Sequence, residues 1–321
     1  WVDPVGASKT FSHCAKTWVE NKRASNLRPS TFRSYLEILN NRVAPKWDNY
    51  SLALISVDEI NSWTRSLVRE GLSPSRINKC LLVVRQVLDV AVSSRLIGYN
   101  VMESNQIIKP KGRRPQPAAF TLEEVFRLID EMPKHFKLLT EFLCFTGLRI
   151  SEVVALRVAD VDLENKTLVV ERSTVYVDGD YFDGPPKSGQ SREVPLIDQL
   201  VDKLATQLKN KRDKDWVFPG PTGRQLKHDE YRSVFNRRVK RIGRPELTPH
   251  SCRDTFASLA VSAGVPITLI SQSLGHADPS ITLRIYSTFY RSDFGRMRQQ
   301  LGNAIEAGKE LTKVVTHDQA E

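Results

Sequence analysis

The sequence has little cysteine and no long apolar run. Its cysteines, Cys14, Cys80, Cys144 and Cys252, lie far apart and form no C-x-x-C pair, which excludes a disulfide-rich framework and favours a reduced, cytoplasmic setting. No stretch of about 18 consecutive apolar residues occurs, so a membrane span and a membrane partner are not expected. The N-terminal segment WVDPVGASKTF has neither a basic n-region nor an apolar h-region, so no secretory signal is expected.

Acidic residues are scarce in the first third of the chain. The 321 residues carry a net charge of +10, and residues 1–120 contain 18 Lys and Arg against 9 Asp and Glu. Residues 121–321 are nearly balanced, with 29 basic against 28 acidic residues. A basic excess confined to one part of a chain favours a polyanionic partner for that part, and nucleic acid is the most common one.

The first hundred residues are predicted to be helical throughout. Apolar residues recur there at the i, i+3, i+4 and i+7 spacing of buried helical stripes. A second helix should open at Pro29 and end before Pro45, because proline interrupts a helix interior. Ser56 and Glu59 form a capping-box pattern at the start of a third helix, and the longest helix should span 74–97.

A linker and a second domain follow. IKPKGRRPQP (108–117) contains three prolines, which neither continue a helix nor build a core. Thr121 and Glu124 form a second capping box, which predicts the first helix of a new domain. Helices should resume after short β-branched strands at 167–172, 173–177 and 192–196. The predicted fold class is mainly α with a small antiparallel β-sheet (α+β). The expected parts are a helical DNA-binding domain at 1–107, a basic linker at 108–119, a second domain at 120–303 and a C-terminal tail at 304–321.

The linker is also a candidate DNA-binding segment. Four basic residues follow one another closely within it, and such a run can track a phosphate backbone. The candidate DNA-binding residues are Lys109, Lys111, Arg113 and Arg114.

A lone tyrosine near the C-terminus, Tyr286, raises the question of chemistry. A tyrosine hydroxyl titrates near pH ~10 and is a poor nucleophile unless cations stabilise the phenolate. Residues able to surround it occur in four separated segments. TGLRISE contains Arg149 and Glu152, GPPKSGQS contains Lys187, HSCRDT contains His250 and Arg253, and LGH contains His276. Each residue alone could be a surface charge, a helix cap or a packing residue.

Together these residues suit attack on a phosphodiester. Such a reaction gathers negative charge on the phosphate oxygens, which preorganised arginine, lysine and histidine side chains stabilise. A covalent tyrosyl intermediate would conserve the phosphodiester energy, so neither a cofactor nor a metal is expected. The sequence contains no G-x-x-x-x-G-K-[ST], G-x-G-x-x-G or H-E-x-x-H motif, which agrees with this expectation.

The order of these motifs resembles that of the tyrosine recombinase family, which includes phage integrases and the Xer and Cre recombinases. The resemblance covers nearly the whole chain. RPSTFRSY (28–35), LISVDEINSW (54–63) and the helix at 74–97 look like the family's helical core-binding domain, and residues from about 120 to 303 look like its catalytic domain. A site-specific recombinase is therefore expected.

The resemblance implies a role for each candidate residue. Arg149 and Arg253 would bind the scissile phosphate, and Lys187 would protonate the departing 5′-oxygen. His250 would act as general acid and base. The remaining roles are assigned as follows: His276 would position the phosphate, Tyr286 would attack phosphorus to form a 3′-phosphotyrosyl bond, and Glu152 would hold the first arginine or the second helix in place. The family often has a histidine directly after the second arginine, where this chain has Asp254.

The resemblance also implies the partners. These are double-stranded DNA attachment core sites, a homo-tetramer that passes through a Holliday junction, and accessory DNA-bending and directionality proteins. Phage DNA would be integrated and excised. The opening WVDPVGASKTF looks like the junction after an N-terminal arm-binding domain in actinobacterial phage integrases, so that domain is expected to be missing. The apolar tail after Tyr286 would fold back on its own domain or dock on a neighbouring protomer.

Three alternatives remain open on sequence alone. The segment 257–276 has the helix, glycine turn and second helix of a helix-turn-helix, which is typical of a non-catalytic DNA-binding regulator. A relaxing type IB topoisomerase would use the same tyrosine chemistry without a specific site. A chromosome-dimer resolvase would belong to the same family as an integrase.

Overall fold

The computed structural model describes residues 9–112, 118–276 and 278–286, together with scattered positions between 295 and 306. For residues 284–286 it describes the backbone alone. Arg113 and Arg114 of the linker and residues 307–321 of the tail lie outside the described residues. The chain divides into two compact units, Trp1–Pro115 with Val177–Phe182, and Gln116–Tyr176 with Asp183–Glu321.

The first unit is built from five α-helices: α1 (Phe11–Ala24), α2 (Pro29–Ile38), α3 (Ala44–Trp47), α4 (Val57–Arg69) and α5 (Pro74–Ser93). The second helix ends at Ile38, before Pro45 as predicted. A π-helical turn at Leu39–Val43 follows α2 directly and leads into α3, where Pro45 lies in the first turn. A proline is tolerated there because the first amide groups of a helix have no intrahelical acceptor.

The core of this unit surrounds α5, which is buried on several sides. Ile77, Val84 and Leu88 of α5 have no measurable exposure. Trp47 of α3 and Trp63 of α4 meet edge to face with ring centroids 5.6 Å apart. The helix α4 begins where predicted, with the Ser56 hydroxyl accepting from the Glu59 amide at 3.2 Å. Aromatic and aliphatic burial of this kind supplies most of the stability of a small helical unit.

Further α-helices lie in the described part of the second unit, and short strands follow α8 along the chain. The helices are α6 (Leu122–Glu131), α7 (Lys134–Thr146), α8 (Ile150–Val153), α9 (Asp198–Leu208), α10 (His228–Arg241), α11 (Pro249–Ser262), α12 (Ile267–Leu274) and α13 (Pro279–Tyr286). The strands are β1 (Val161–Asp162), β2 (Thr167–Val170), β3 (Ser173–Val177), β4 (Asp180–Gly184) and β5 (Arg192–Pro195). Most of β4 belongs to the segment Val177–Phe182, which is grouped with the first unit. The predicted capping box of Thr121 and Glu124 is present at the start of α6, with both reciprocal hydrogen bonds.

The strands form two small sheets where the sequence predicted one. The first has the order β1-β2-β5, with β2 antiparallel to both neighbours, and the second pairs β3 with β4. Strand β4 was not predicted, because nearly all of its residues are exposed and the DYFDG segment lacks the β-branched alternation of a half-buried strand. The predicted fold class, mainly α with small antiparallel β structure, is confirmed.

The centre of the second unit is the packing of α7 against α11. Cys144 on α7 and Cys252 on α11 are both fully buried there. The Thr255 hydroxyl of α11 accepts from the Phe120 amide at 2.9 Å, which ties the entry of the unit to the same helix. Arg253 follows Cys252 directly, so this packing places the arginine at the edge of the core. No helix among the described residues is long and apolar enough to span a membrane.

Candidate active site

The first part of the site lies at the turn between α7 and α8. The Glu152 carboxylate folds back on Arg149, accepting from its amide and from Nη1, each at 2.9 Å. The Glu152 side chain is completely buried, whereas the Arg149 side chain keeps about a fifth of its surface exposed. A buried carboxylate needs charged or hydrogen-bonded partners, and Arg149 supplies only part of that requirement.

Arg192 of β5 completes the coordination of Glu152. Its Nη1 and Nη2 donate to the two carboxylate oxygens at 3.1 and 2.7 Å, a bidentate pair that buries all but 8% of the arginine side chain. Its Nε donates to the carbonyl of Ser273 at 2.8 Å. One buried guanidinium therefore connects the α7–α8 turn to the end of α12.

The titration of Glu152 reflects these contacts. Burial alone would raise the pKa of the Glu152 carboxyl, but hydrogen bonds and charge from Arg192, with further contributions from Arg149, hold this pKa below its usual range. Glu152 is therefore ionised at neutral pH, and it balances one of the two arginine charges beside it.

Arg253 is held by the main chain of two turns. Its Nη1 donates to the Gly147 carbonyl at 2.8 Å, and its Nη2 donates to the Leu274 carbonyl. Gly147 ends α7 in the left-handed region, with φ of 67°, and a Cβ atom there would lie 2.5 Å from the Phe256 ring. Only glycine fits this position. Arg253 is only 2% exposed, and the turn provides a carbonyl group that accepts from its guanidinium.

His276 joins Arg253 to the helix that carries the candidate nucleophile. Arg253 Nη2 lies 2.9 Å from His276 Nε2, and His276 Nδ1 lies 2.7 Å from the Thr282 hydroxyl of α13. Desolvation and the charges of Arg253, Arg149, Arg192 and His250 lower the pKa of His276 to about 4. The imidazole is therefore neutral near pH 7.

His250 and Lys187 complete the cationic cluster. Although His250 is exposed as a residue, the surrounding protein removes part of the water around its ring, and this desolvation lowers its pKa. The positive charges of Arg253, Arg149 and Lys187 lower the pKa of His250 further, against the opposing charge of Asp254. Lys187 itself is exposed, in the turn between β4 and β5. The structure thus brings together the two arginines, the lysine and the two histidines.

For the remaining candidate residues, the structure describes only part of what their proposed roles require. Tyr286 is the last residue of α13, and its side chain lies outside the described residues. Lys109 and Lys111 of the linker are exposed, as a DNA-contacting role requires. Within the part of the chain that the structure describes, no group of three or more His, Cys, Asp or Glu residues could hold a metal ion.

Sequence reasoning missed two residues of the site, Arg192 and Thr282. The alternation of strand β5 held a clue to the first, because Arg192 lies on the same side of the strand as the fully buried Val194. An arginine on an inward face requires a carboxylate, although the pattern does not say which one. Thr282 carries no such signal, since a threonine in an amphipathic helix is ordinary.

The lowered pKa of His276 predicts how stability depends on pH. An unfolded histidine titrates near 6.5, so below that pH the unfolded chain binds a proton that the folded chain accepts only near pH 4. Stability should therefore fall as the pH drops across this window, since the unfolded state binds more protons there. His276→Gln should make the fall shallower in denaturant titrations at several pH values. His13→Gln, at an exposed position on α1, is the control. An equally steep fall in both variants would contradict the assignment.

Comparison with known proteins places this site in a family. The model of the phage integrase family matches residues 119–292, which is more than half of the chain and contains every residue of the cluster. The chain belongs to the phage integrase family. A second model, that of the phage integrase N-terminal SAM-like domain, matches residues 10–68 of this family member. The sequence-based identification of a tyrosine recombinase is therefore confirmed.

The relatives of this family member include proteins named integrases and proteins named tyrosine recombinases. The ICEBs1 integrase of Bacillus subtilis is 22% identical over 295 residues, covering 87% of this chain and 79% of that protein. The tyrosine recombinase XerA of Saccharolobus solfataricus is 28% identical over 247 residues, covering 74% and 76%.

Solved structures share the fold of this phage integrase family chain. The Tn1549 transposon integrase in complex with a circular intermediate DNA matches with a TM-score of 0.76 at 19% identity, covering 92% of this chain and all of that one. A lambda integrase tetramer bound to a Holliday junction matches with a TM-score of 0.69 at 15% identity, covering 88% and 79%.

Proposed function

We propose that this chain cleaves and rejoins DNA at attachment sites through a 3′-phosphotyrosyl intermediate, and that it integrates and excises phage DNA. The observation that carries the proposal is the convergence of five cationic or hydrogen-bonding side chains beside the helix that ends at Tyr286. Membership of the phage integrase family supports site-specific recombination as the reaction.

The arginines would bind the scissile phosphate. Arg149 is partly exposed while Glu152 holds its guanidinium, and Arg253 is fixed by main-chain carbonyls. Donors held in place before the reaction stabilise developing charge without a reorganisation cost. A guanidinium fork also matches the spacing of two phosphate oxygens. The buried Glu152 would thus fix the Arg149 fork, and the Gly147 and Leu274 carbonyls would fix the Arg253 fork.

The proton transfers follow from the charges of the site. The Tyr286 hydroxyl would attack phosphorus, forming the phosphotyrosyl bond as the bond to the 5′-oxygen breaks. His250, whose pKa is lowered by desolvation and nearby cations, would accept the tyrosyl proton because its ring is neutral at pH 7. Lys187 would donate a proton to the departing 5′-oxygen. Attack by that 5′-hydroxyl on the phosphotyrosyl bond reverses each step and rejoins the strand.

The remaining parts of the chain would bind and assemble on DNA. We assign residues 1–107 to a core-binding domain, 108–119 to a linker that follows the phosphate backbone, 120–303 to the catalytic domain and 304–321 to a tail. The charge excess of residues 1–120 supports the first two assignments. The partners would be attachment core sites on double-stranded DNA, accessory proteins that bend DNA or set direction, and three further copies of this chain around a Holliday junction.

A nicked duplex tests the proposed reaction. Cleavage beside the nick releases a short fragment that diffuses away, so the covalent protein–DNA species accumulates on a denaturing gel. We expect this species to form without added metal or nucleotide, and peptide mapping should place the DNA on Tyr286. Absence of a covalent species with every attachment-site duplex tried, despite tight DNA binding, would favour a non-catalytic regulator.

The role of Lys187 has its own test. Lys187→Met should slow cleavage by about 100-fold or more, because general acid catalysis contributes about that much. A substrate with sulfur in place of the bridging 5′-oxygen has a leaving group that needs no proton, so wild type and Lys187→Met should cleave it at similar rates. Lys227→Met, at a lysine that lies over the Tyr176 ring instead, is the matched control. An equal defect of Lys187→Met on both substrates would remove Lys187 from the general-acid role.

A further inference from the structure

Thr282 is a polar residue buried inside the helix that ends at Tyr286. Its side chain has no exposure, whereas its neighbour Leu283 is 52% exposed. The helix α13 therefore directs a hydroxyl inward and a leucine outward, the reverse of what hydrophobic burial favours. The contact that accounts for this arrangement is the 2.7 Å hydrogen bond between Thr282 Oγ1 and His276 Nδ1.

Both ring nitrogens of His276 are engaged. Arg253 Nη2, 2.9 Å from Nε2, can only donate, because a guanidinium has no acceptor. The neutral ring must therefore accept at Nε2 and carry its proton at Nδ1, which donates to Thr282 Oγ1. This assignment follows from the hydrogen-bond partners of the ring. In the absence of DNA, His276 thus presents a lone pair, not a proton, on the side of Arg253.

A bound phosphate would require a proton on Nε2 of His276, where Arg253 requires a lone pair. Phosphate oxygens are acceptors, so His276 can bind one only with a proton on Nε2, which leaves Nδ1 as an acceptor. A hydroxyl group can accept from Nδ1 in one tautomer and donate to it in the other by rotating its hydrogen. Thr282 is therefore a partner for both tautomers without any movement of heavy atoms.

We propose that Thr282 is a positioning residue that fixes the His276 ring through Nδ1, allows it to exchange tautomers when a phosphate binds, and couples its position to the helix carrying Tyr286. The proposal deepens the proposed function and rests on it. Thr282 and Tyr286 lie four residues apart, on one face of α13. A displacement of this helix would therefore be transmitted directly to His276.

Three variants of the full chain test the proposal. Thr282→Val keeps the shape and removes the hydroxyl, Thr282→Ser keeps the hydroxyl, and Thr140→Val removes a buried hydroxyl of α7 that bonds to Tyr231 instead. Single-turnover cleavage of the nicked duplex should slow by about 10-fold in Thr282→Val, the size of one buried hydrogen bond. Thr282→Ser should stay within about 2-fold of wild type. DNA affinity should change little in all three variants.

A spectroscopic measurement separates positioning from a general loss of stability. The chain has 6 histidines, so the ¹⁵N shifts of the His276 ring can be assigned by comparison with His276→Gln. Without DNA, wild type, Thr140→Val and Thr282→Val should all show the proton on Nδ1, because Arg253 donates to Nε2 in each. On the nicked duplex, wild type and Thr140→Val should move the proton to Nε2, whereas Thr282→Val, which has no hydroxyl to donate to Nδ1, should show a mixture of tautomers. A complete move of the proton to Nε2 on DNA together with an unchanged cleavage rate in Thr282→Val would overturn the proposal.

Two further outcomes are also decisive. If Thr282→Val does not fold, Thr282→Ala and Thr282→Ser replace it as a pair, and equal cleavage rates in the two would overturn the proposal. If wild type forms no covalent complex, the proposed function fails. The ¹⁵N shifts of the DNA-bound proteins then still decide whether Thr282 allows His276 to exchange tautomers.

Discussion

Tyr286→Phe is expected to abolish the covalent protein–DNA complex while leaving DNA affinity nearly unchanged. The substitution removes one oxygen atom from the last residue of α13 and leaves the charged cluster intact. Because phosphate binding is assigned to Arg149 and Arg253, the variant should still hold the scissile phosphate. The variant lacks the hydroxyl that we propose forms the covalent bond, so cleavage should fall by at least about a thousandfold, as when other enzymes lose their nucleophile.

The control is a tyrosine of the first unit. Tyr99 is 75% exposed in the first unit, and Tyr99→Phe should form the covalent complex at the wild-type rate. Both variants are compared on the nicked duplex and by equilibrium binding to the same DNA. A covalent species that persists in Tyr286→Phe would remove Tyr286 from the nucleophile role and redirect the search to another residue.

Arg192→Met should destabilise the second unit more than the loss of any surface ion pair. Glu152 is completely buried, and Arg192 donates to both of its oxygens. Removing one partner of a buried pair leaves an uncompensated charge, which costs about 3–5 kcal/mol. Methionine keeps much of the side-chain volume, so the loss should come from charge and not from a cavity. Denaturant unfolding, monitored by a spectroscopic probe in the second unit, measures the change in the free energy of unfolding.

Two comparisons make this expectation specific. Arg42→Met breaks the exposed Arg42–Glu70 pair, whose side chains are 40% and 51% exposed, and should cost at most about 1 kcal/mol. Adding Glu152→Gln to Arg192→Met should recover part of the lost stability, because the unpaired charge is removed. Equal costs for Arg192→Met and Arg42→Met would show that the Glu152–Arg192 pair contributes no more than a surface contact.

The same pair makes stability depend on acid pH. The pKa of Glu152 is lowered in the folded chain, so its stabilising contribution is present above the ordinary carboxyl pKa and is lost as the pH falls through the lower, folded value. Arg192→Met removes the group that contributes most to lowering the pKa of Glu152. Its destabilisation should therefore be largest near neutral pH and shrink as the pH is reduced.

The sequence predicts those features of the molecule that depend on near neighbours. The capping box of Thr121 and Glu124 spans three residues, and it appears as expected. The helical stripes and the strand at β5 likewise depend on short-range periodicity. The site residues could be named because their motifs resemble those of a family, but spacing alone did not bring Arg149 and Arg253 together.

The features that the sequence did not predict depend on distant partners. Arg192 is 40 residues from Glu152 and 81 from Ser273, so no local pattern indicates what it binds. The short helix α3 was not predicted, because the π-turn ahead of Pro45 starts a new helical segment, in whose first turn proline is favourable. In both cases a general rule about local sequence gave way to a particular arrangement elsewhere in the chain.

The hydrogen bond from Arg253 to the Gly147 carbonyl has a consequence for biosynthesis. It joins residues 106 positions apart, and the bond from Phe120 to Thr255 spans 135. Contacts of such long range form late, because the intervening loop must close first. During translation, at roughly 5–20 residues per second, the turn at Gly147 waits several seconds for Arg253. A chain released before α11 would therefore keep the basic first unit, which we propose binds DNA, and would lack Arg253, His276 and Tyr286, which we propose for cleavage.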